Sequence, residues 1–487
     1  MDYRTVIGLE VHVQLLTQSK LFCGCSTRFC LPPNTATCPV CIGMPGTLPV
    51  MNRLAFHLSA RAALALNCQI AGFTKWDRKN YYYPDLPKNY QISQYDLPFS
   101  KDGWLDITTA DGVKRIGIIR VHLEEDAGKM LHDEQGGGKA SLVDLNRTGT
   151  PLLEIVGQPE LSTPEEAKAY LEELRLLLRE VKVSDCEMQE GSLRCDANIN
   201  VHVPQPDGTT AATPIVEIKN LNSFRAVERA TRYEAQRQYE EFKRTGKRLG
   251  EVSKATAAWD DEHGVTVIMR RKEEAADYRY FPEPDLVPVE VAPSWLEQVR
   301  AELGELPAAQ RQRLQQQYAL SPYDANVLTS QGREMVRYFE ETAQKSEDAK
   351  AACNWIANQV LQTLNERKVP IGQFPVSAFH LAGLIRQVRS TGLNNQRARE
   401  LYLRMVDTGE SAEQATEALG IKVVSDEGQL VEIVRRAIAA NVKAVADYKK
   451  GKTKAADAIK GAVMRETKGM AKIETVQELL LRELEKA

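Results

Sequence analysis

The sequence predicts an α+β protein: an antiparallel sheet backed by helices, followed by a region that is almost wholly helical. Three observations predict it. Several segments alternate apolar and polar residues with the period of a half-buried strand. Between them stand helical stretches with recognisable starts. After Pro282 the strand patterning gives way to helical spacing that runs to the end of the chain. Strands with one dry and one polar face belong to an antiparallel sheet covered on one side. A chain of 487 residues is too long for one core and should hold roughly two to four domains. Its 43% hydrophobic and 26% charged residues are those of an ordinary globular protein. The net charge of −3 offers no global attraction for nucleic acid, so any polyanion site must be local. No apolar run is long enough to cross a bilayer, and the start, Met1 to Thr5, lacks the regions of a secretory signal. A cytoplasmic protein with no membrane partner is expected, or one whose targeting segment is not in this chain.

The first strand, Val6 to Leu15, is apolar at every odd position, so Glu10 and His12 project together from the opposite face. Gly8 beside them leaves room for something to approach the backbone. Next come Cys23 and Cys25, then Cys38 and Cys41. Two close pairs across a short loop can close a tetrahedral thiolate site, with structural Zn²⁺ the expected metal. Cys30, between the pairs, is either a substitute ligand or a buried thiol. Asn52 to Leu66 has helical spacing and should cover one face of the sheet. The stretch from Lys79 to Gln94 is aromatic and proline-broken, carries Lys79 and Lys88, and reads as an ordered loop suited to a nucleotide or nucleic-acid end.

The strand pattern returns at Ile119 to Asp126, where Arg120, His122 and Glu124 share the polar face. From Leu142 to Val156 two short apolar runs flank the turn Asn146-Arg147-Thr148-Gly149-Thr150-Pro151, and Leu153 and Ile155 bracket Glu154. An arginine in such a turn beside a strand carboxylate suits phosphate and metal chemistry, and equally an ordinary surface hairpin. Thr163 caps a helix running to Glu180, with Pro164 at its first position. In Leu193 to Val203, Arg194, Asp196, Asn198, Asn200 and His202 share one face. Glu217 and Lys219 do so in the following strand, and Ser223 opens a long charged helix. A merely wet strand face is rich in Thr, Lys, Ser and Gln; carboxylates, histidines and asparagines beside arginines point to a functional one.

Pro282 to Pro288 reads as a proline-rich, linker-like exit. A further boundary falls near Asp407 to Val424. Between Asn441 and Lys472 stand nine Lys/Arg against three Asp/Glu, including Lys449, Lys450, Lys452, Lys454 and Lys468. That excess is the local footprint of a polyanion site, or a solvated face. Gly451-Lys452-Thr453 imitates the end of a P-loop, but Ala446 stands where the earlier glycine is required. There is no nucleophile elbow and no zincin helix. What remains is the carboxylate set. Glu10, Glu124 and Glu154, from separate strands, suit Mg²⁺, with His12 acting through water or Mn²⁺ substituting. Arg147, Lys79, Lys88, Arg194 and Lys219 are the candidates to balance phosphate charge.

These residues resemble the B-subunit family of the tRNA-dependent amidotransferases. The likeness lies in Gly8-Leu-Glu-Val-His12, the Cys pairs with Cys41-Ile-Gly-Met-Pro-Gly46, Tyr83-Pro-Asp-Leu-Pro-Lys88 and His122-Leu-Glu-Glu-Asp-Ala-Gly128. It continues in Asp144-Leu-Asn-Arg-Thr-Gly-Thr-Pro-Leu-Leu-Glu154, Arg194-Cys-Asp-Ala-Asn198, Glu217-Ile-Lys-Asn-Leu-Asn-Ser-Phe224 and Asp277-Tyr-Arg-Tyr-Phe-Pro-Glu-Pro-Asp285. The resemblance implies a catalytic cradle domain over 1–292, similar to glutamine synthetase, with a zinc-binding insert at about 20–45. A helical domain over 293–406 and a tRNA-binding helical tail over 407–487 follow. It implies ATP-dependent phosphorylation of the side-chain carboxylate of misacylated Glu-tRNA or Asp-tRNA, then attack by ammonia. The ammonia would come from a glutaminase A subunit, with a small C subunit completing the complex. It places the metal on Glu10, His12, Glu124 and Glu154, with Glu125 a neighbouring candidate, and zinc on Cys23, Cys25, Cys38 and Cys41. The alternative is a non-catalytic tRNA-docking scaffold.

Overall fold

In the computed structural model of the chain, residues 2–132, 141–271, 277–421, 427–449, 455–467 and 473–484 are described. The chain forms two compact units, Met1–Ala308 and Ala309–Ala487. The first is built on a ten-stranded sheet. Five of its strands position the polar residues singled out above: β1 (Arg4–Gln14), β2 (Gly112–Glu125), β3 (Pro151–Gly157), β4 (Leu193–Pro204) and β5 (Val216–Lys219). They lie side by side in the order β5-β4-β1-β3-β2. Ser100–Thr109 and Gln69–Ile70 extend the sheet beyond β2, and Ala255–Asp260 and Val265–Arg271 extend it beyond β5. The sheet is mixed rather than antiparallel throughout, because β5 pairs in parallel with Ala255–Asp260. A 22-residue helix connects that pair, and a crossover of such length permits a parallel return where a tight turn would not.

Side-chain alternation positions everything else. Ile7, Leu9, Val11 and Val13 of β1, Leu153 and Ile155 of β3, and Ala197, Ile199 and Val201 of β4 all point into one apolar core. Each large side chain there contributes about 1.5–3 kcal/mol by leaving water. Helices α1 (Arg53–Ala65), α2 (Pro164–Glu180) and α3 (Phe224–Thr245) supply the other wall of that core. Their starts are fixed by side-chain caps: Asn52 accepts from the Leu54 and Ala55 amides, Thr163 from Glu166 and Ser223 from Ala226. The opposite face of the sheet is therefore free to carry charge.

Several expectations are corrected. Ile119 is exposed where simple alternation would bury it, since the register with β3 shifts between Val156 and Gly157 and swaps the inward positions from Ile116 and Ile118 to Val121 and Leu123. The two apolar runs around Arg147 are not a surface hairpin. Ser141–Asp144 pairs with Lys129–His132 in a separate ribbon, whereas β3 lies at the centre of the main sheet. The stretch from Lys79 to Gln94 contains paired strands, Asp77–Asn80 with Tyr90–Ser93, and Phe281–Pro282 joins as a third. The proline-rich exit is thus pinned and not a free linker; Glu283 is buried and receives two hydrogen bonds from Arg78. What approaches Gly8 is Pro159 of the chain itself.

The helical unit holds two apolar cores, one drawn from Leu314 to Ile421 and the other from Leu430 to Leu484. Among the described residues no helix is long and apolar enough to cross a membrane. Lys450, Lys452, Lys454 and Lys468 lie outside the described residues, and Lys449 closes the helix Val442–Lys449.

Candidate functional site

Pairing register brings the polar residues of four strands into one row. His12 on β1 stands opposite Arg194 on β4 and Glu154 on β3, and Glu154 stands opposite His122 on β2. Glu10 and Glu124 sit diagonally, two residues along their own strands on the same face. The ring nitrogen Nε2 of His12 is 3.4 Å from Glu154, 3.8 Å from Glu10 and 4.0 Å from Glu124. Nε2 of His122 is 3.3 Å from Glu154 and 3.5 Å from Glu124. Each of the three carboxylates singled out from the sequence thus lies within 4.0 Å of His12, although Glu10 and Glu124 do not share a ligand set.

His122 was missed as a site residue. Its signal was present in the sequence: His122-x-Glu124 mirrors Glu10-x-His12. Two ligand sets result, Glu10–His12–Glu154 and His122–Glu124–Glu154, with Glu154 in both.

The electrostatics of the cluster test whether a cation suits it. Burial presses the His12 imidazole toward neutrality, yet Glu154 and Glu124 outweigh it and raise its pKa. Burial acts on His122 in the same sense, and the same two carboxylates carry it up to about 9. Glu10 is raised by burial and by the neighbouring Glu154. Burial pushes Glu154 up too, but the two imidazoles hold it well below the usual carboxylate range. Carboxylates that draw protons onto a half-buried and a buried histidine are a set that wants positive charge at its centre. A divalent cation fits the donors. Nδ1 of His122 is buried and has no hydrogen-bond partner among the described residues.

The surrounding cations are placed differently from one another. Lys79 stacks near the Tyr81 and Tyr278 rings, 5.6 and 5.0 Å from their centres, and feels Glu124 and Glu154. Tyr280 stands in the same field and stacks on Tyr95 with ring centres 4.0 Å apart. Lys88 is tied instead to Glu125, which also accepts from the Ile92 amide; this pair lines a small pocket with Cys23 and Cys41. Lys219 bridges Asp196 and Glu217. Arg194 donates to Asp126 at 2.9 Å. Arg147 donates to the Ala127 and Gly128 carbonyls and lies 3.5 Å from the same Asp126. Asp126, which also accepts from Gln14 at 2.8 Å, therefore joins the signature turn to the row of histidines. Parity places Asp126 on the polar face with His122 and Glu124, but nothing in the alternation marked its burial or its arginine partners.

Cys23, Cys25, Cys38 and Cys41 come together as a separate cluster, with sulfur separations of 3.6 Å (Cys23–Cys41) and 3.7 Å (Cys38–Cys41). Tetrahedral zinc–thiolate bonds of about 2.3 Å require sulfurs about 3.8 Å apart, so the geometry fits zinc. The Cys23 thiol hydrogen-bonds to Cys41 and, with Lys20 nearby, favours a thiolate there. Cys30 is exposed and outside the cluster, neither ligand nor buried thiol.

An α+β sheet with a carboxylate–histidine cluster on its polar face, and a separate four-cysteine cluster, describes a class of protein in which each cluster could hold a metal ion. The comparisons then narrow the class. The family model described as the GatB/GatE catalytic domain matches residues 5–297, and the one described as the GatB domain matches residues 337–484. The chain is 52% identical to the B subunit of the aspartyl/glutamyl-tRNA(Asn/Gln) amidotransferase of Rhodopirellula baltica, covering 98% of this chain and 96% of that one. It is 49% identical to the protein of the same name in Caldanaerobacter subterraneus over 100% of both chains, and 50% identical to that of Moorella thermoacetica over 99% of both. The chain belongs to the GatB/GatE family.

Proposed function

We propose that this chain is the amide-forming subunit of a tRNA-dependent amidotransferase, working on Glu-tRNA(Gln), Asp-tRNA(Asn) or both. The observation that supports this best is the convergence of Glu10, Glu124 and Glu154 with His12 and His122 on three adjacent strands. In this reading ATP is the energy source. The side-chain carboxylate of the misacylated amino acid attacks the terminal phosphorus of ATP, a new P–O bond forms, and ADP leaves. Ammonia then attacks the activated carbon, and phosphate leaves with its electron pair. A carboxylate is a poor acyl donor, and this exchange of leaving group is what makes amide formation feasible.

Glu10, Glu124 and Glu154, with His12, would hold Mg²⁺, which supplies positive charge against the ATP phosphates when bound. Lys79 adds a fixed charge from the aromatic wall, and Arg194 and Arg147 are held at the edge of the cluster by Asp126. Lys88 and Lys219 would take part only on leaving Glu125 and Asp196, their present partners. The cysteine centre would keep structural zinc. The sheet region (1–292) serves as a cradle of the kind found in glutamine synthetase, and the helical segments (293–406 and 407–487) bind tRNA through lysines such as Lys449. A glutaminase A subunit delivers ammonia, a small C subunit completes the assembly, and the complex works in the cytoplasm.

The test is reconstitution. The chain combined with A and C subunits should form amide on misacylated tRNA with matching ATP consumption. A non-catalytic tRNA-docking scaffold would leave ATP consumption indifferent to every residue of the cluster.

A further inference from the structure

Lys20 is 1% exposed, among the largest fully buried side chains of the protein. Its ammonium donates to the Ala36 carbonyl at 2.7 Å, to the Leu145 carbonyl at 3.3 Å and to the Cys41 sulfur at 3.4 Å. Among the described residues no carboxylate pairs with it. Glu125, which like Lys20 lies beside Gly149, makes its ion pair with Lys88 through Oε1 and none with Lys20. A buried ammonium without a counter-charge is costly enough that such groups are found paired. Two carbonyl dipoles solvate the proton donors but do not neutralise the charge. Among the described residues the acidic group its ammonium touches is the Cys41 sulfur of the thiolate cluster, and a zinc ion among four thiolates leaves a net negative charge to be balanced.

We infer that Lys20 is the built-in counter-ion of the four-cysteine centre and couples that centre to the turn carrying Arg147. The coupling rests on more than one bond. The same ammonium reaches Leu145 at the head of the turn, and the Leu21 amide donates to the Gly149 carbonyl at 2.8 Å. From the cysteine loop, the Ala36 amide donates to the Asn146 side chain at 2.8 Å, and the Asn34 side chain accepts from Leu145 at 2.8 Å and donates to Val143 at 2.9 Å. The turn in turn presents Arg147 to Asp126. Loss of charge balance at the centre therefore loosens a segment that borders the carboxylate cluster, while touching none of its residues. This holds whether or not the proposed ATP chemistry is correct, since neither readout below depends on activity.

The experiment uses the full chain purified with zinc and compares wild type with Lys20→Met and Lys20→Arg. Zinc release to a chromogenic chelator is followed in time, and hydrogen–deuterium exchange is followed over residues 143–150. Lys20→Met, which keeps length without charge, is expected to release zinc about ten- to a hundredfold faster, as loss of partners around metal ligands does elsewhere. Exchange in the turn should rise with it. Lys20→Arg, which keeps the charge, should stay within about threefold of wild type. Wild-type zinc retention and unchanged exchange in Lys20→Met overturn the inference. Should Lys20→Met fail to fold, the milder Lys20→Gln variant, which also removes the charge but leaves all four thiols in place, is read instead with the same expectation. Wild-type zinc retention and unchanged exchange in Lys20→Gln overturn it equally.

Discussion

Asp126→Asn tests whether one buried carboxylate organises the cationic edge of the site. Asp126 is 2% exposed and accepts from Arg194 at 2.9 Å and Gln14 at 2.8 Å, with Arg147 3.5 Å away. Asparagine keeps the shape but must turn its amide nitrogen toward one of those two donors, so one bond is lost and the other loses its ionic character. Hydrogen bonds to a charged partner are worth about 1.5–3 kcal/mol, and breaking a buried ion pair costs about 3–5 kcal/mol. A destabilisation of about 3 kcal/mol is expected, which for a unit of this size lowers Tm by about 5 °C. The pH dependence follows from the same contacts. Burial pushes the Asp126 pKa up, but Arg194, Arg147 and the Gln14 hydrogen bond pull it down by more, leaving it below the ordinary value. A depressed folded pKa contributes stability that is full above the unfolded value of about 3.9 and is lost as pH falls through the folded one. The Tm gap between wild type and Asp126→Asn, read by calorimetry, should therefore be constant near neutrality and close in acid. A gap under about 2 °C at neutral pH, or one that does not change on acidification, would refute the argument.

Three further outcomes are expected. His122→Asn should raise the divalent-ion concentration needed for half-maximal ATP consumption by about tenfold, since it removes one member of a candidate ligand set, and should lower Tm as well, since it takes a buried cation from between Glu124 and Glu154; titration with Mg²⁺ and Mn²⁺ and calorimetry measure the two effects. Cys25→Ser should lower both bound zinc, measured by elemental analysis, and Tm, while Cys30→Ser should change neither, because only Cys25 belongs to the cluster. Truncation after Ile421 leaves the first helical core whole and removes the second; it should raise the KM for aminoacyl-tRNA by about tenfold or more with the KM for ATP unchanged, and the loss should shrink at high salt.

The strand faces were legible because parity is a local property: Glu10 with His12, His122 with Glu124, and Glu154 between Leu153 and Ile155 follow from period two alone. Family-level features were legible as well, in segments such as Asp144 to Glu154. Neighbourhood was not. That β3 inserts between β1 and β2, and so sets Glu154 between two histidines, depends on the pairing of β1 with a strand more than a hundred residues away in sequence. The inversion at Ile119 comes from a register shift that no residue type announces. Lys20 was invisible for a different reason, and Asp126, though parity places it on the polar face, gave no sign of its burial. A lysine in a loop and an acid at a strand end normally face water, and only the folded chain shows both buried.

The central claim is that acidic groups from separate strands act together on one phosphoryl transfer. The direct test is ATP consumption by the reconstituted complex carrying Glu154→Gln, with misacylated tRNA and glutamine present. Glu154 belongs to both ligand sets, so turnover should fall by at least about a hundredfold while tRNA binding is retained. Turnover within about twofold of wild type would contradict the account and leave a tRNA-docking role in its place.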